Sequence, residues 1–266
     1  MVTNLDPYII IMLFVMGSIF GSFLNVVIYR VPKNMSIVYP SSHCFSCKKK
    51  IPMKYNIPIL GYFLLSGKCV FCLNRFPSRY AFIELITAIF TVIVYLIFNW
   101  NSLFFVYLTL TYLLIAVTFV DIDHFIIPNG FILFGLSVLI ISLMLDVSLL
   151  GWEYSVSGSF VFAGFLFCIG LIGQFILKKE SIGFGDVKLG LILGGFLGVE
   201  YSILALYLSF ALSAIIIIVF YRGKMNSSDT KIPFGPYLAA GTLISLFTIS
   251  PDGSNYILNW YYRTMF

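Results

Sequence analysis

Apolar residues run along this chain in long blocks, separated by short polar stretches. Six blocks stand out: Tyr8–Tyr29, Ala81–Phe98, Leu103–Val120, Phe131–Leu145, Val156–Leu177 and Tyr201–Tyr221. Two shorter blocks are Val187–Val199 and Tyr237–Ile249. A helix needs about 20 apolar residues to cross a bilayer, with a lower limit near 17. The short blocks therefore cross only obliquely or by borrowing polar flanking turns. The pattern predicts an all-α integral membrane protein with six to eight transmembrane helices.

Charge narrows that range. All 16 Lys and Arg fall in four places: Arg30–Arg79, Lys178–Lys188, Arg222–Lys231 and Arg263. With about eight spans and an external N-terminus, the first three places share the cytoplasmic side, as the positive-inside rule prefers. If Val187–Val199 does not cross, Arg222, Lys224 and Lys231 move outside. The connections at Asn99–Asn101 and Asp146–Ser155 carry no Lys or Arg, which suits the outer face. The first block does not read as a cleavable signal peptide, because its basic residues follow it. Composition agrees with this reading. Apolar residues make up 60 % and charged residues 10 % of the 266, against roughly a quarter charged in soluble domains. A soluble enzyme is excluded, and no nucleic-acid partner is indicated. The expected organisation is a first transmembrane helix over 1–30, a cytoplasmic loop over 31–80 and a transmembrane core over 81–266.

The loop carries Cys44-x2-Cys47 and Cys69-x2-Cys72 with 21 residues between the pairs. Paired knuckles of this spacing offer four thiolates to one tetrahedral zinc ion. A reducing cytoplasm disfavours disulfides there. Four cysteines close the coordination sphere, so the expected role of zinc is structural. His43 reads as a surface neighbour, and Cys168 as a small packing residue inside a span.

Carboxylates at a membrane edge are costly and point to function. Asp121 closes the third long block, and Asp186 opens the short block at Val187 within Gly183-Phe184-Gly185-Asp186-Val187-Lys188. The topology puts both at the cytoplasmic boundary. A carboxyl pair there can share a proton, one member activating water and the other protonating the substrate. Gly183 and Gly185 leave room for a substrate backbone beside Asp186. Helix dipoles give an expectation for the proton: Asp121 at a helix C-terminus holds it, and Asp186 at an N-terminus is ionised. On chemistry alone Asp121 also reads as a helix-end residue, Asp186 as a cap and Lys188 as a snorkelling anchor.

Several segments together resemble the type IV prepilin leader peptidases, a bacterial family of GxGD-type aspartic peptidases that are typically also N-methyltransferases. They are Gly21-Ser22-Phe23-Leu24-Asn25-Val26-Val27-Ile28-Tyr29-Arg30, the paired CxxC loop with Asn56-Ile57-Pro58-Ile59-Leu60 inside it, and Asp121-Ile122-Asp123 with Ile127-Pro128-Asn129. Gly183-Phe184-Gly185-Asp186-Val187-Lys188 and Pro233-Phe234-Gly235-Pro236-Tyr237 complete the set. The resemblance implies that Asp121 and Asp186 are the catalytic pair. It implies cleavage of a prepilin or pseudopilin leader after a glycine at the cytoplasmic face of the bacterial cytoplasmic membrane. It also implies methylation of the new N-terminus with S-adenosylmethionine as methyl donor. No glycine-rich nucleotide fingerprint lies on a strand, so the donor enters by resemblance alone. Two positions depart from the family pattern: Ala81 follows Arg79-Tyr80 where proline is usual, and Asn129 stands where Asp is common.

The loop has no acidic residue between Arg30 and Arg79, so it repels a basic leader and suits anionic headgroups. Glu84 and Asp123 are the expected contacts for such a leader. Gly17-x3-Gly21 and Gly190-x3-Gly194-x3-Gly198 predict close helix packing, the second bringing Asp186 toward the helix of Asp121. Pro233–Pro236 predicts a bent or plain entry to the last span. A presenilin-like intramembrane GxGD protease and a carboxylate-pair transporter remain as alternatives.

Overall fold

The computed structural model describes residues 6–39, 41–44, 46–52, 55–177, 182–221, 232–249 and 254–265. Lys178, Lys179, Arg222, Lys224 and Lys231, used above to orient the chain, lie outside these residues. Among the described residues every extended element is helical. Five helices are long and apolar enough to cross a membrane. The chain divides into two compact units, Met1–Leu96 and Ile97–Phe266.

The first unit holds α1 (Pro7–Arg30), α2 (Leu60–Leu64) and nearly all of α3 (Arg79–Phe98). Asp6 caps α1 by accepting the Tyr8 N–H at 2.9 Å, with Pro7 opening the helix. The predicted small-residue contact is present. A Cβ on Gly21 would lie 2.6 Å from the Glu84 Cα, and one on Gly17 would collide with Thr91. Thr87 and Thr91 bury their hydroxyls on the carbonyls of Ile83 and Thr87. The polar atoms in this seam are thus satisfied within α3 itself. Asn25 donates to the Tyr80 carbonyl at 3.1 Å and ties the two helices near their loop ends.

The second unit holds α4 (Ser102–His124), α5 (Asn129–Met144), α6 (Trp152–Leu177), α7 (Phe184–Tyr221), α8 (Gly235–Phe247) and α9 (Tyr256–Met265). Asn101 caps α4 through the Phe104 N–H, and Phe125 in the left-handed region ends it. α5 and α8 are apolar but short. The short α9 has no buried residue, and the apolar pattern did not predict it.

The two blocks Val187–Val199 and Tyr201–Tyr221 form one element with a break at Gly198, whose φ is 68° and ψ −171°. Only glycine populates that region readily. The chain reverses there. Gly190 sits against Phe162 and Leu166 of α6, while Phe210 packs its ring on Phe165 at 5.9 Å. Twenty residues of straight helix would separate these contacts by about 30 Å. The first limb, 184–197, therefore runs out from Asp186, and the second, 199–221, runs back. Ser245 of α8 donates to the Tyr201 carbonyl, and Phe234, just ahead of α8, meets Phe210 at 5.1 Å.

The glycine seam of the first limb differs from expectation. Gly194 faces Gly158, and Gly190 faces Leu166, so the seam packs on α6 rather than on the helix of Asp121. Gly195 takes a hydrogen bond at its carbonyl from Ser155 of α6. A Cβ on Gly194 would meet the Gly158 carbonyl oxygen, which is backbone and cannot swing aside. Gly194→Leu is expected to cost about 1–3 kcal/mol of stability. The check is a lower midpoint of thermal unfolding in detergent.

Candidate active site

Asp121 lies in the last turn of α4 and is buried, as is Asp186 in the first turn of α7. Each carboxylate is held by backbone. The Gly235 N–H, at the start of α8, donates to Asp121 Oδ2 at 2.8 Å. Asp186 occupies the third position of α7, its carboxylate bonded by the Gly183 backbone and its N–H donating to the Gly183 carbonyl at 3.0 Å. That exchange resembles the return half of a capping box. The two carboxyl groups are close enough to interact electrostatically.

This geometry removes the dipole argument for placing the proton. Asp121 ends its own helix, but it also faces the N-terminus of α8, where an orphan N–H meets it. Both aspartates therefore sit at a helix N-terminus, and the dipoles no longer separate them. The pairing also explains Pro233-Phe234-Gly235-Pro236. Phe234 is the residue before the helix, Gly235 opens it, and Pro236 follows where no N–H is needed. A Cβ on Gly235 would lie 2.7 Å from Asp121 Oδ2. Gly235 thus both allows the approach and supplies the donor. The sequence offered the segment but not this partner.

Four of the remaining candidates flank the pair along the chain. Gly183 is exposed, with Asp186 Oδ2 3.3 Å from the place of a Cβ. Gly185 faces Ile127, 3.4 Å from the corresponding point. Lys188 donates to Asn129 Oδ1 at 3.1 Å and lies over the Phe184 ring, so it links the starts of α5 and α7. Asp123 is exposed, two residues beyond Asp121. Glu84 is in the other unit. It is buried in α3 and accepts the Ile59 N–H at 2.7 Å.

The four cysteines converge in the first unit. Their sulfurs all lie within 4.8 Å of one another, with Cys44–Cys72 at 3.7 Å and Cys47–Cys69 at 3.9 Å. Zinc–sulfur bonds of about 2.3 Å in a tetrahedron require sulfurs about 3.8 Å apart, so the set fits zinc. The two knuckles repeat one backbone plan. Lys48 N–H returns to the Cys44 carbonyl and Leu73 N–H to the Cys69 carbonyl, with bridges His43–Lys50 and Lys68–Arg75 closing each base. The backbone N–H of Cys47 leads in lowering the Cys44 thiol to about 6. For Cys72 the Asn74 N–H pulls down, but desolvation and the three neighbouring thiols prevail and raise it to about 11. A zinc ion held here would take all four cysteines as thiolates. Cys168 is exposed on α6 rather than packed, contrary to expectation. Cys44→Ser is expected to abolish retention of about one zinc per chain and to open the loop to trypsin after Lys48–Lys50. Metal analysis and limited proteolysis of the purified protein check this.

Residues 15–98 match the bacterial peptidase A24 N-terminal domain, and residues 108–218 match the type IV leader peptidase family. A prepilin leader peptidase/N-methyltransferase of Pseudomonas putida is 30 % identical, the match covering 90 % of both chains. One of Legionella pneumophila is 30 % identical over 96 % of this chain and 94 % of its own. The chain belongs to the type IV leader peptidase family. A third relative, a type 4 prepilin-like proteins leader peptide-processing enzyme of Escherichia coli O78:H11, is 31 % identical over 87 % of this chain and 91 % of its own. No solved structure matches the chain. Asp121 and Asp186 both fall within the segment matching the leader peptidase family, and Glu84 and the four cysteines within the A24 N-terminal segment. The family and the apolar helices together make this a multi-pass membrane protein.

Proposed function

We propose that the chain is a membrane aspartic endopeptidase that removes the leader of type IV prepilins or pseudopilins and N-methylates the new N-terminus. The observation that carries this reading is the juxtaposition of Asp121 and Asp186, two buried carboxylates on separate helices, each held by a backbone group. Hydrolysis of a peptide needs a base for the attacking water and an acid for the leaving amine. One carboxylate takes the water proton, and the other delivers a proton to the leaving nitrogen. The exposed Gly183 puts no side chain beside Asp186, which leaves room for a substrate backbone. Lys188 holds the start of α7 to Asn129 and so keeps Asp186 in register. Asp123 is placed to meet a basic leader.

The eight-span topology belongs to the same reading, with α7 counted as two spans and α5 and α8 as short ones. It sets the N-terminus outside and the aspartates at the cytoplasmic face of the cytoplasmic membrane. The substrate is an apolar helix with a basic cytoplasmic leader, which requires a site at that level. Zinc on Cys44, Cys47, Cys69 and Cys72 would cross-link the loop. The names of the relatives support methylation, and S-adenosylmethionine enters as the donor by the resemblance. The test mixes the purified chain with a prepilin, with and without S-adenosylmethionine, and weighs the product. Loss of the leader mass alone, and then with one added methyl group, is the expected result. An intact prepilin under both conditions contradicts the reading.

A further inference from the structure

The start of α2 is tied to the apolar part of the first unit. Glu84, which accepts the Ile59 N–H, lies five residues into α3. At 1.5 Å per residue that is roughly 7 Å beyond Arg79. Ser22 of α1 also bonds Glu84, and it lies eight residues before Arg30, or roughly 12 Å along that helix. Ile59 is thus pinned below the level of the two arginines that end α1 and begin α3.

The backbone turns sharply at that pin. Ile59 has φ 61° and ψ −60°, and Leu60 N–H bonds the Pro58 carbonyl at 2.6 Å. This is a γ-turn with positive φ, rare for any residue and an outlier for a β-branched one. It starts α2 at once. Inside the loop, Gly61 presses on the Tyr55 carbonyl, and Tyr62 packs over Gly67. On the outside, Leu60, Phe63 and Leu64 are 59 %, 68 % and 69 % exposed. Three large apolar side chains on five residues are an unfavourable surface in water. The same loop carries Lys48, Lys49, Lys50, Lys68 and Arg75 with no acidic residue. That composition complements anionic headgroups.

We infer that α2 is a lipid-inserted segment: its outer face, Leu60, Phe63 and Leu64, lies among acyl chains at the membrane boundary while the basic zinc knuckles meet anionic headgroups. Depth, exposure and charge each point to this separately. The loop is then a membrane-seated platform rather than a domain free in the cytoplasm. The inference rests on the reading of α1 and α3 as spans.

The test uses the full-length protein in liposomes of phosphatidylglycerol and phosphatidylethanolamine. Photo-crosslinking p-benzoylphenylalanine replaces Phe63 in one variant, Leu64 in a second and Ile89 of α3 in a third. Ile89 is exposed on the span itself and serves as the reference. Lipid adducts at 63 and 64 should reach within roughly twofold of that at 89, because all three then face lipid. They should persist in excess prepilin. A lipid adduct at 89 with none at 63 and 64 overturns the inference and leaves the spans standing. Transfer of the label at 63 or 64 from lipid to prepilin overturns it too, by making the face a substrate seat. Absence of lipid adducts at all three positions removes the spans and the inference together.

Discussion

Asp121→Asn and Asp186→Asn, made singly, are each expected to slow leader cleavage roughly a thousandfold or more, the scale of a lost general acid or base. Asparagine keeps the size and can still accept the Gly235 N–H at position 121 or bond the Gly183 backbone at position 186. The fold should therefore persist, and the loss is one of proton transfer. Methylation of a pilin already freed of its leader should continue in both variants if, as proposed, methyl transfer uses neither carboxylate. Steady-state cleavage and methylation assays on the same preparation separate the two outcomes. Parallel loss of both activities would indicate misfolding rather than chemistry.

Gly235→Val is the second large effect. Its Cβ would stand 2.7 Å from Asp121 Oδ2, well inside contact distance. Neither atom has slack: Asp121 sits on the last turn of α4, and Gly235 is the first residue of α8. The carboxylate must therefore move, and the hydrogen bond that fixes it must lengthen. A displacement of about 1 Å in a reacting group can cost about a hundredfold in rate. The loss should fall on kcat with KM little changed, since the substitution displaces a reacting group. Gly235→Ala should show the same pattern with a smaller loss. Unchanged kcat in the valine variant would remove α8 from the account of the site.

Much of the architecture could be read from hydropathy alone. Apolar blocks located the long helices, and Gly17 and Gly21 correctly marked a close helix contact. The spacing of four cysteines foretold a cluster of metal-binding geometry. Hydropathy reports depth, however, and not which neighbour a helix face meets. The Gly190 and Gly194 motif therefore predicts a close contact without distinguishing α6, the partner it meets, from α4. The reversal at Gly198 is likewise a single-residue event inside a long apolar run. The dipole expectation is incomplete for a related reason: an aspartate's own helix does not reveal the N–H that meets Asp121, which comes from a helix more than a hundred residues later. Glu84 accepts the Ile59 N–H, a contact no local pattern encodes.

The central claim is that Asp121 and Asp186 form one hydrolytic centre. It is tested most directly by comparing single-turnover cleavage in Asp121→Asn, Asp186→Asn and the double variant, all purified as the full chain. Groups that act as a unit are strongly non-additive. The double variant should cleave no more slowly than the slower single variant. A double variant slowed by the product of the two single effects would show independent contributions, and near-normal cleavage in either single variant would show that the residue takes no part. Either result would contradict a shared centre.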